Sequence, residues 1–204
     1  MDRRDFLKSA AAGSSWLIAS NHLRKGQSLL ATEASSGGAA LSRVEARYYD
    51  KLPDREIKCR LCPRFCQLGD KERGFCGVRE NQNGKYYTLV YGQVASYNID
   101  PIEKKPLFHF LPGSMAFSIA TAGCNVACKF CQNWEISQMR PEQVQSRHLL
   151  PDVVAEAAAS YNCPIIAYTY SEPIIFYEFM YDTSLQARKK RLRNAVITNG
   201  FINP

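Results

Sequence analysis

Met115-Ala-Phe-Ser-Ile-Ala-Thr121-Ala-Gly123-Cys124-Asn125-Val-Ala-Cys128-Lys-Phe130-Cys131 passes from a short apolar run straight into three cysteines. Met115 to Thr121 carries the β-branched Ile119 and reads as a buried strand. Gaps of three and then two residues let one loop turn three sulfurs toward a single metal centre. No fourth cysteine lies nearby. Cys163 comes only before Pro164 and the next apolar run, where a buried core thiol is expected. Three thiolates on a cubane of four irons leave one iron open to a ligand.

Beyond the loop the chain alternates. Pro151 to Ser160 is alanine-rich with apolar spacing and predicts a helix. Pro164 to Tyr170 predicts a strand, Ile174 to about Lys190 a second helix, and Asn194 to Thr198 a third strand stopped by Asn199-Gly200. Strand, helix, strand, helix, strand implies an α/β fold with parallel pairing and right-handed crossovers. Ligands gather at the carboxyl ends of such strands. Cys124, Cys128 and Cys131, then Ser171-Glu172-Pro173, then Thr198-Asn199-Gly200 all fall on that rim.

Upstream, Cys59-Arg-Leu-Cys62-Pro-Arg-Phe-Cys66 and Gly74-Phe-Cys76-Gly77 supply four more thiols. Disulfide scaffolds spread their cysteines over a small domain, whereas these tight gaps point to metal chemistry. Four thiolates suit a tetrahedral zinc and equally an iron–sulfur cluster, as a centre that staples a small lobe. Lys85 to Tyr97 predicts one or two strands around Gly92. Asp100-Pro-Ile-Glu-Lys-Lys-Pro106-Leu-Phe-His109-Phe reads as an ordered crossing segment, with His109 packed in the core.

Of 204 residues, 46% are hydrophobic and 11% aromatic, enough for a core and incompatible with global disorder. The net charge of +7 comes from 26 Lys and Arg against 19 Asp and Glu. Setting aside Arg188, Lys189, Lys190, Arg191 and Arg193 leaves 21 against 19, so there is no basic face and a nucleic-acid module is excluded. That cluster reads as a solvated helix end. Asp2-Arg3-Arg4-Asp5-Phe6-Leu7-Lys8 ahead of a mildly apolar Ser9 to Ser20 resembles a twin-arginine export signal, with an ordinary amphipathic helix as the alternative. The apolar body, about twelve residues, is too short to span a bilayer. The signal reading places the protein in the periplasm, yet the implied cofactor chemistry below draws on cytoplasmic supplies, so a cytoplasmic location stands beside it.

The Cys124-x3-Cys128-x2-Cys131 spacing, with Phe130 before the last cysteine, resembles the signature of the radical S-adenosylmethionine (SAM) superfamily. Residues from about 55 onward are further similar to its pyruvate formate-lyase activating-enzyme-like branch, and most to the radical SAM enzymes of the AmmeMemoRadiSam system. That similarity rests on Cys59-x2-Cys62-Pro63-x2-Cys66, Asp100-Pro-Ile-Glu-Lys-Lys-Pro106-Leu, His109-Phe110, Gly123-Cys124-Asn125, Cys131-Gln-Asn-Trp134-Glu-Ile-Ser137 and Tyr168-Thr-Tyr170-x-Glu172-Pro173. It implies a small cysteine-rich lobe (46–112) after a signal and linker (1–45). A partial (β/α)6 barrel (113–204) of about three βα units would follow.

The resemblance also implies an oxidoreductase in which Cys124, Cys128 and Cys131 hold a [4Fe-4S] cluster. SAM is then cleaved reductively to a 5′-deoxyadenosyl radical that abstracts hydrogen from a substrate. Phe130 matches a position near the adenine, Glu172 the residue meeting the SAM amino group, and Asn199 a weaker third-strand position. The glycines usual before that glutamate are absent. A salt bridge to a nearby lysine or arginine is the plain alternative role for Glu172. Cys59, Cys62, Cys66 and Cys76 form the second site, for zinc or a second cluster. A flavodoxin or ferredoxin as reductant, a protein substrate, and Memo-like or AMMECR-like functional neighbours follow as implied partners.

Two readings compete. One is a non-catalytic module with structural zinc on Cys124, Cys128, Cys131 and Cys163 or a histidine; the other is a SAM-binding subunit without turnover. Three parallel strands leave an exposed edge and uncovered apolar faces, so the expectation is an N-terminal fragment of a longer enzyme or a truncated product.

Overall fold

A computed structural model describes residues 41–204. The export-signal reading falls almost wholly outside those residues, as does His22.

Seven short strands come first: β1 (Val44–Glu45), β2 (Tyr49–Lys51), β3 (Ile57–Cys59), β4 (Gln67–Leu68), β5 (Arg79–Gln82), β6 (Lys85–Thr88) and β7 (Gln93–Val94). Six of them form two antiparallel three-stranded sheets in the orders β1-β6-β5 and β2-β3-β4. Asn83-Gly84 closes β5 onto β6 as a two-residue hairpin, with Gln82 opposite Lys85. Both loop residues have positive φ, 58° and 82°, the conformation this tight turn requires and Asn-Gly tolerates.

The second half supplies β8 (Ser96–Pro101), β9 (Met115–Ala120), β10 (Arg147–His148), β11 (Ile165–Tyr168) and β12 (Arg193–Val196). It also holds α1 (Trp134–Ser137), α2 (Pro151–Ser160) and α3 (Tyr177–Lys189). The main sheet runs β12-β11-β9-β8, with β9, β11 and β12 parallel and β8 antiparallel to β9. β10 pairs with β7.

Alternation along the parallel strands gives the sheet two apolar faces. Phe117, Ile119, Ile166 and Tyr168 pack with Val154, Ala155 and Ala158 of α2 and with Phe179 of α3 in the larger core. Ala116, Ile165, Ala167 and Ala195 face the other way and are covered by Ile102 and Leu107. The α/β core and the three parallel strands thus match the expectation. They form an open mixed sheet among the described residues, and no barrel closes.

Four expectations need correction. The edge of β9 is not bare: β8 pairs with it from Ser96↔Ala120 to Pro101↔Met115, so the sheet draws its fourth strand from the segment ahead of residue 113. Asp100-Pro101 accordingly ends a strand, and Pro101 is tolerated because it closes an edge strand that needs no further donor. The second helix starts late. Pro173–Phe176 is a 3-10 turn, and Phe176 (φ −111°, ψ 37°) leaves helical geometry before α3 begins. His109 is exposed beside Phe108, which is 61% exposed, because Ile102 and Leu107 fill the apolar face of the sheet and leave residues 108–111 beyond it.

The basic cluster lies where expected, with Arg188 and Lys189 in the last turn of α3, favourable against the helix dipole. Cys163 is 1% exposed, and burial pushes its thiol up to about 11. Among the described residues no helix is long and apolar enough to cross a membrane.

Candidate functional site

β9 delivers the chain to Gly123 at the carboxyl end of the sheet. Gly123 has φ +92°, and a Cβ there would lie 2.6 Å from the Cys76 carbonyl oxygen and from Val78 Cγ1. Only glycine fits, because the cysteine-rich lobe presses directly against the start of the loop. The loop is tied at several points. The Gly123 N–H donates to the Ile136 carbonyl (2.8 Å), Gln138 Nε2 to the Cys128 carbonyl (2.8 Å), and Arg64 Nε to the Asn125 carbonyl (2.6 Å). Cys131 Sγ lies 3.1 Å from Ser137 Oγ.

Cys124 and Cys131 are partly buried, Cys128 is exposed, and all three are free thiols. Burial pushes the Cys124 thiol up, and the neighbouring Glu172, Cys131 and Cys128 push the same way, which places these four groups in one electrostatic neighbourhood. Three unpaired thiols on one loop are the donor set a thiophilic iron centre takes. Among the described residues, however, no three His, Cys, Asp or Glu side chains converge closely enough to hold a metal ion. Cys163 precedes β11 at the amino-terminal end of the sheet, whereas the cysteine loop follows the carboxyl end of parallel β9. A zinc site completed by Cys163 is therefore ruled out by topology.

Glu172 sits on the same rim, 3% exposed. Its carboxylate accepts hydrogen bonds from Thr198 Oγ1 (2.7 Å), the Asn199 N–H (2.8 Å) and the Ile174 N–H (3.1 Å). No lysine or arginine pairs with it among the described residues, so the salt-bridge alternative fails. Asn199 is drawn in twice, through its backbone to Glu172 and through Nδ2 to Asn125 Oδ1 (3.0 Å). Phe130 stands 91% exposed and contributes nothing to the core. The parallel register thus gathers the three rim groups that lie far apart in sequence.

Two residues carry more than their sequence positions imply. Thr198 follows the third strand in the rim tripeptide, and only the structure sets its hydroxyl on Glu172. Asn125 is 1% exposed and joins the loops after β9 and β12, yet its only sequence signal was its place beside Cys124.

The other four thiols line one small cavity of about 20 Å³, with Arg79, Tyr86, Asn125, Ile174 and Ile175 among the remaining walls. All four are free. Burial raises the Cys59 thiol and takes that of Cys76 to about 12, against the lowering influence of the Arg79 cation.

Residues 118–204 match the radical SAM superfamily. The match starts inside β9 and takes in every rim residue, the three cysteines included. An uncharacterized protein of Methanocaldococcus jannaschii is 52% identical over 158 residues, 78% of this chain and 47% of its own length. A second uncharacterized protein of that organism is 29% identical over 94 residues, 46% of this chain and 23% of its own. The chain thus spans about half the length, or less, of these relatives. No solved structure matches.

Proposed function

We propose that the radical SAM segment binds a [4Fe-4S] cluster through Cys124, Cys128 and Cys131 and cleaves SAM reductively. The observation that carries this reading is the Glu172 carboxylate: buried, oriented by two donors from the β12 loop, lacking a cationic partner among the described residues, and beside three free thiols. A cationic amino group is the natural partner for such a carboxylate. When bound, the cluster supplies the electron that breaks a carbon–sulfur bond of SAM and yields the 5′-deoxyadenosyl radical. Glu172 orients the ligand, Thr198 and Asn199 hold Glu172, and the exposed ring of Phe130 offers an apolar face for an adenine.

The finer reading is an activating-enzyme-like member of the AmmeMemoRadiSam group, taking electrons from a flavodoxin or ferredoxin and acting on a protein. Memo-like and AMMECR-like proteins are its proposed functional neighbours. The four-thiol cavity is its second thiophilic site, for zinc or iron–sulfur. Export through residues 1–45 belongs to the same proposal. A fusion of that segment to a reporter that requires folded export tests it, and a reporter retained in the cytoplasm sinks it.

The central test is anaerobic reconstitution with iron and sulfide, followed by dithionite and SAM. The expected result is a brown protein that releases 5′-deoxyadenosine, and that loses this release with Cys128→Ser but not with Cys163→Ser. A colourless protein holding zinc and neither iron nor sulfide overturns the reading.

A further inference from the structure

Tyr170 stands two residues ahead of Glu172 and holds φ +64°, a region that glycine enters freely and a bulky aromatic residue rarely does. The outlier sits where the chain has left β11 at Tyr168 and turns onto the rim. Residues persist in such a conformation only where their surroundings overdetermine it, and they cluster at functional sites.

The surroundings of Tyr170 come from three separate segments. Its hydroxyl donates to Asp100 Oδ2, near the end of β8. Lys105 Nζ lies 4.3 Å from the centre of its ring and donates to the same Asp100 oxygen at 2.6 Å. The Asp100 and Lys105 side chains are buried. The Tyr170 carbonyl accepts from Asn133 Nδ2 (3.0 Å), two residues past Cys131. The next residue, Ser171, donates from Oγ to the Thr121 carbonyl (2.8 Å), two residues before Gly123. Burial and the Asp100 carboxylate push the Tyr170 hydroxyl up to about 12, so it stays protonated and donating.

The turn is therefore held on both sides. A cation over the ring face and a carboxylate shared by hydroxyl and ammonium fix the direction of the ring. The Tyr170 carbonyl and Ser171 are fastened to the two flanks of the cysteine loop. The donors on the Glu172 carboxylate are Thr198, Asn199 and Ile174, so Tyr170 acts on it through the backbone.

We propose that Tyr170 is a positioning residue: with its ring locked by Asp100 and Lys105, its left-handed backbone sets the place of the Glu172 carboxylate on the rim. The consequence for SAM rests on the function proposed above. The placement of Glu172 needs neither ligand nor cluster.

The test compares the 204-residue chain with its Tyr170→Phe variant, which keeps the ring beside Lys105 and removes the hydroxyl contact with Asp100. Amide hydrogen exchange is read residue by residue by NMR on protein without a cluster. The Asn199 and Ile174 N–H groups, which donate to Glu172, are expected to exchange roughly tenfold faster in the variant, the effect of one weakened hydrogen bond to a charged group. Amides inside β9 and β11 keep their rates. In the cluster-loaded chain, SAM is expected to bind Tyr170→Phe roughly tenfold more weakly. That loss vanishes in the Glu172→Gln background, because a residue acting through the carboxylate has nothing left to place. Circular dichroism checks folding, and Lys105→Met, which leaves Asp100 with Lys104, serves as the variant if Tyr170→Phe does not fold.

Unchanged exchange at Asn199 and Ile174 overturns the proposal. Equal acceleration throughout β9 and β11 does so too, since it marks a general loss of stability. A loss of SAM affinity that persists in the Glu172→Gln background overturns action through Glu172. Failure of the reconstituted wild-type chain to bind SAM sinks the proposed function, and the exchange rates alone then decide the positioning. Equal SAM binding by wild type and Tyr170→Phe sinks the positioning alone.

Discussion

Arg79 and Glu178 form a two-pronged ion pair in which both side chains are buried, Nη1 and Nη2 donating to Oε1 and Oε2 at 3.2 and 2.5 Å. Arg79 stands at the start of β5 in the cysteine-rich lobe and Glu178 in the first turn of α3, so the pair ties the lobe to the α/β core. Arg79 also donates from Nε to the Ile175 carbonyl, and the Arg47 N–H reaches Glu178 Oε1.

Removing one partner strands the other charge. Glu178→Ala is expected to cost about 3–5 kcal/mol, while Arg79→Met with Glu178→Leu recovers most of that loss because no buried charge is left unpaired. Urea unfolding of the two variants checks the difference. Equal losses would show that lost packing, not stranded charge, sets the cost.

Gly123→Ala places a methyl group against the Cys76 carbonyl and Val78 in a backbone conformation that L-residues rarely adopt. Strain and overpacking together cost about 2–5 kcal/mol. The lobe or the cysteine loop must shift, so the variant is expected to unfold at lower urea and to take up less iron on reconstitution than the wild-type chain. A variant matching the wild type in both respects would mean that lobe and loop do not meet as described.

Glu172→Gln keeps the shape of the side chain and removes its charge. Its single amide oxygen serves either the Asn199 N–H or the Thr198 hydroxyl and Ile174 N–H, so one backbone donor loses its acceptor and stability should fall by about 1–3 kcal/mol. SAM affinity of the cluster-loaded protein is expected to drop about 10- to 100-fold, the loss of a charge-assisted contact. Equilibrium binding of SAM measures it, and unchanged affinity would remove Glu172 from the ligand site.

Asp100 carries the pH dependence. Burial pushes its carboxyl up, but hydrogen bonds from Lys104 (2.8 Å), Lys105 (2.6 Å) and the Tyr170 hydroxyl outweigh this and hold it well below the usual carboxylate range. The folded state therefore binds that proton more weakly than the unfolded chain. Its stabilisation is complete above the ordinary carboxylate value near pH 4 and fades as pH falls below it. Asp100→Asn is expected to cost about 3 kcal/mol at pH 7, since it leaves Lys105 buried without its counter-charge. It should also flatten the loss of stability below pH 4. Urea midpoints measured from pH 7 down to pH 2 test both parts.

Much of the site was legible in sequence because ligation chemistry is local. Cys124, Cys128 and Cys131 declare themselves by spacing, and the helix at Pro151–Ser160 by its alanine-rich apolar period. The loop between Gly123 and Cys131 needed only the strand before it to be recognised. His109 went astray for the converse reason: two flanking phenylalanines suggest burial, but Ile102 and Leu107 already cover that sheet face and residues 108–111 lie exposed beyond them.

The sequence by itself determined the residue types and the order of elements: three thiols after one strand, a glutamate after the next, a threonine and an asparagine after the third. Their meeting was decided by the parallel register that sets Ile119 opposite Tyr168 and Tyr168 opposite Val196, bringing three chain ends to one rim. Only the tertiary structure revealed β8 on the edge of β9, the Arg79–Glu178 pair, and Asn125 between two loops. Each joins residues tens of positions apart, through hydrogen bonds and charges that have no periodicity to leave in the sequence.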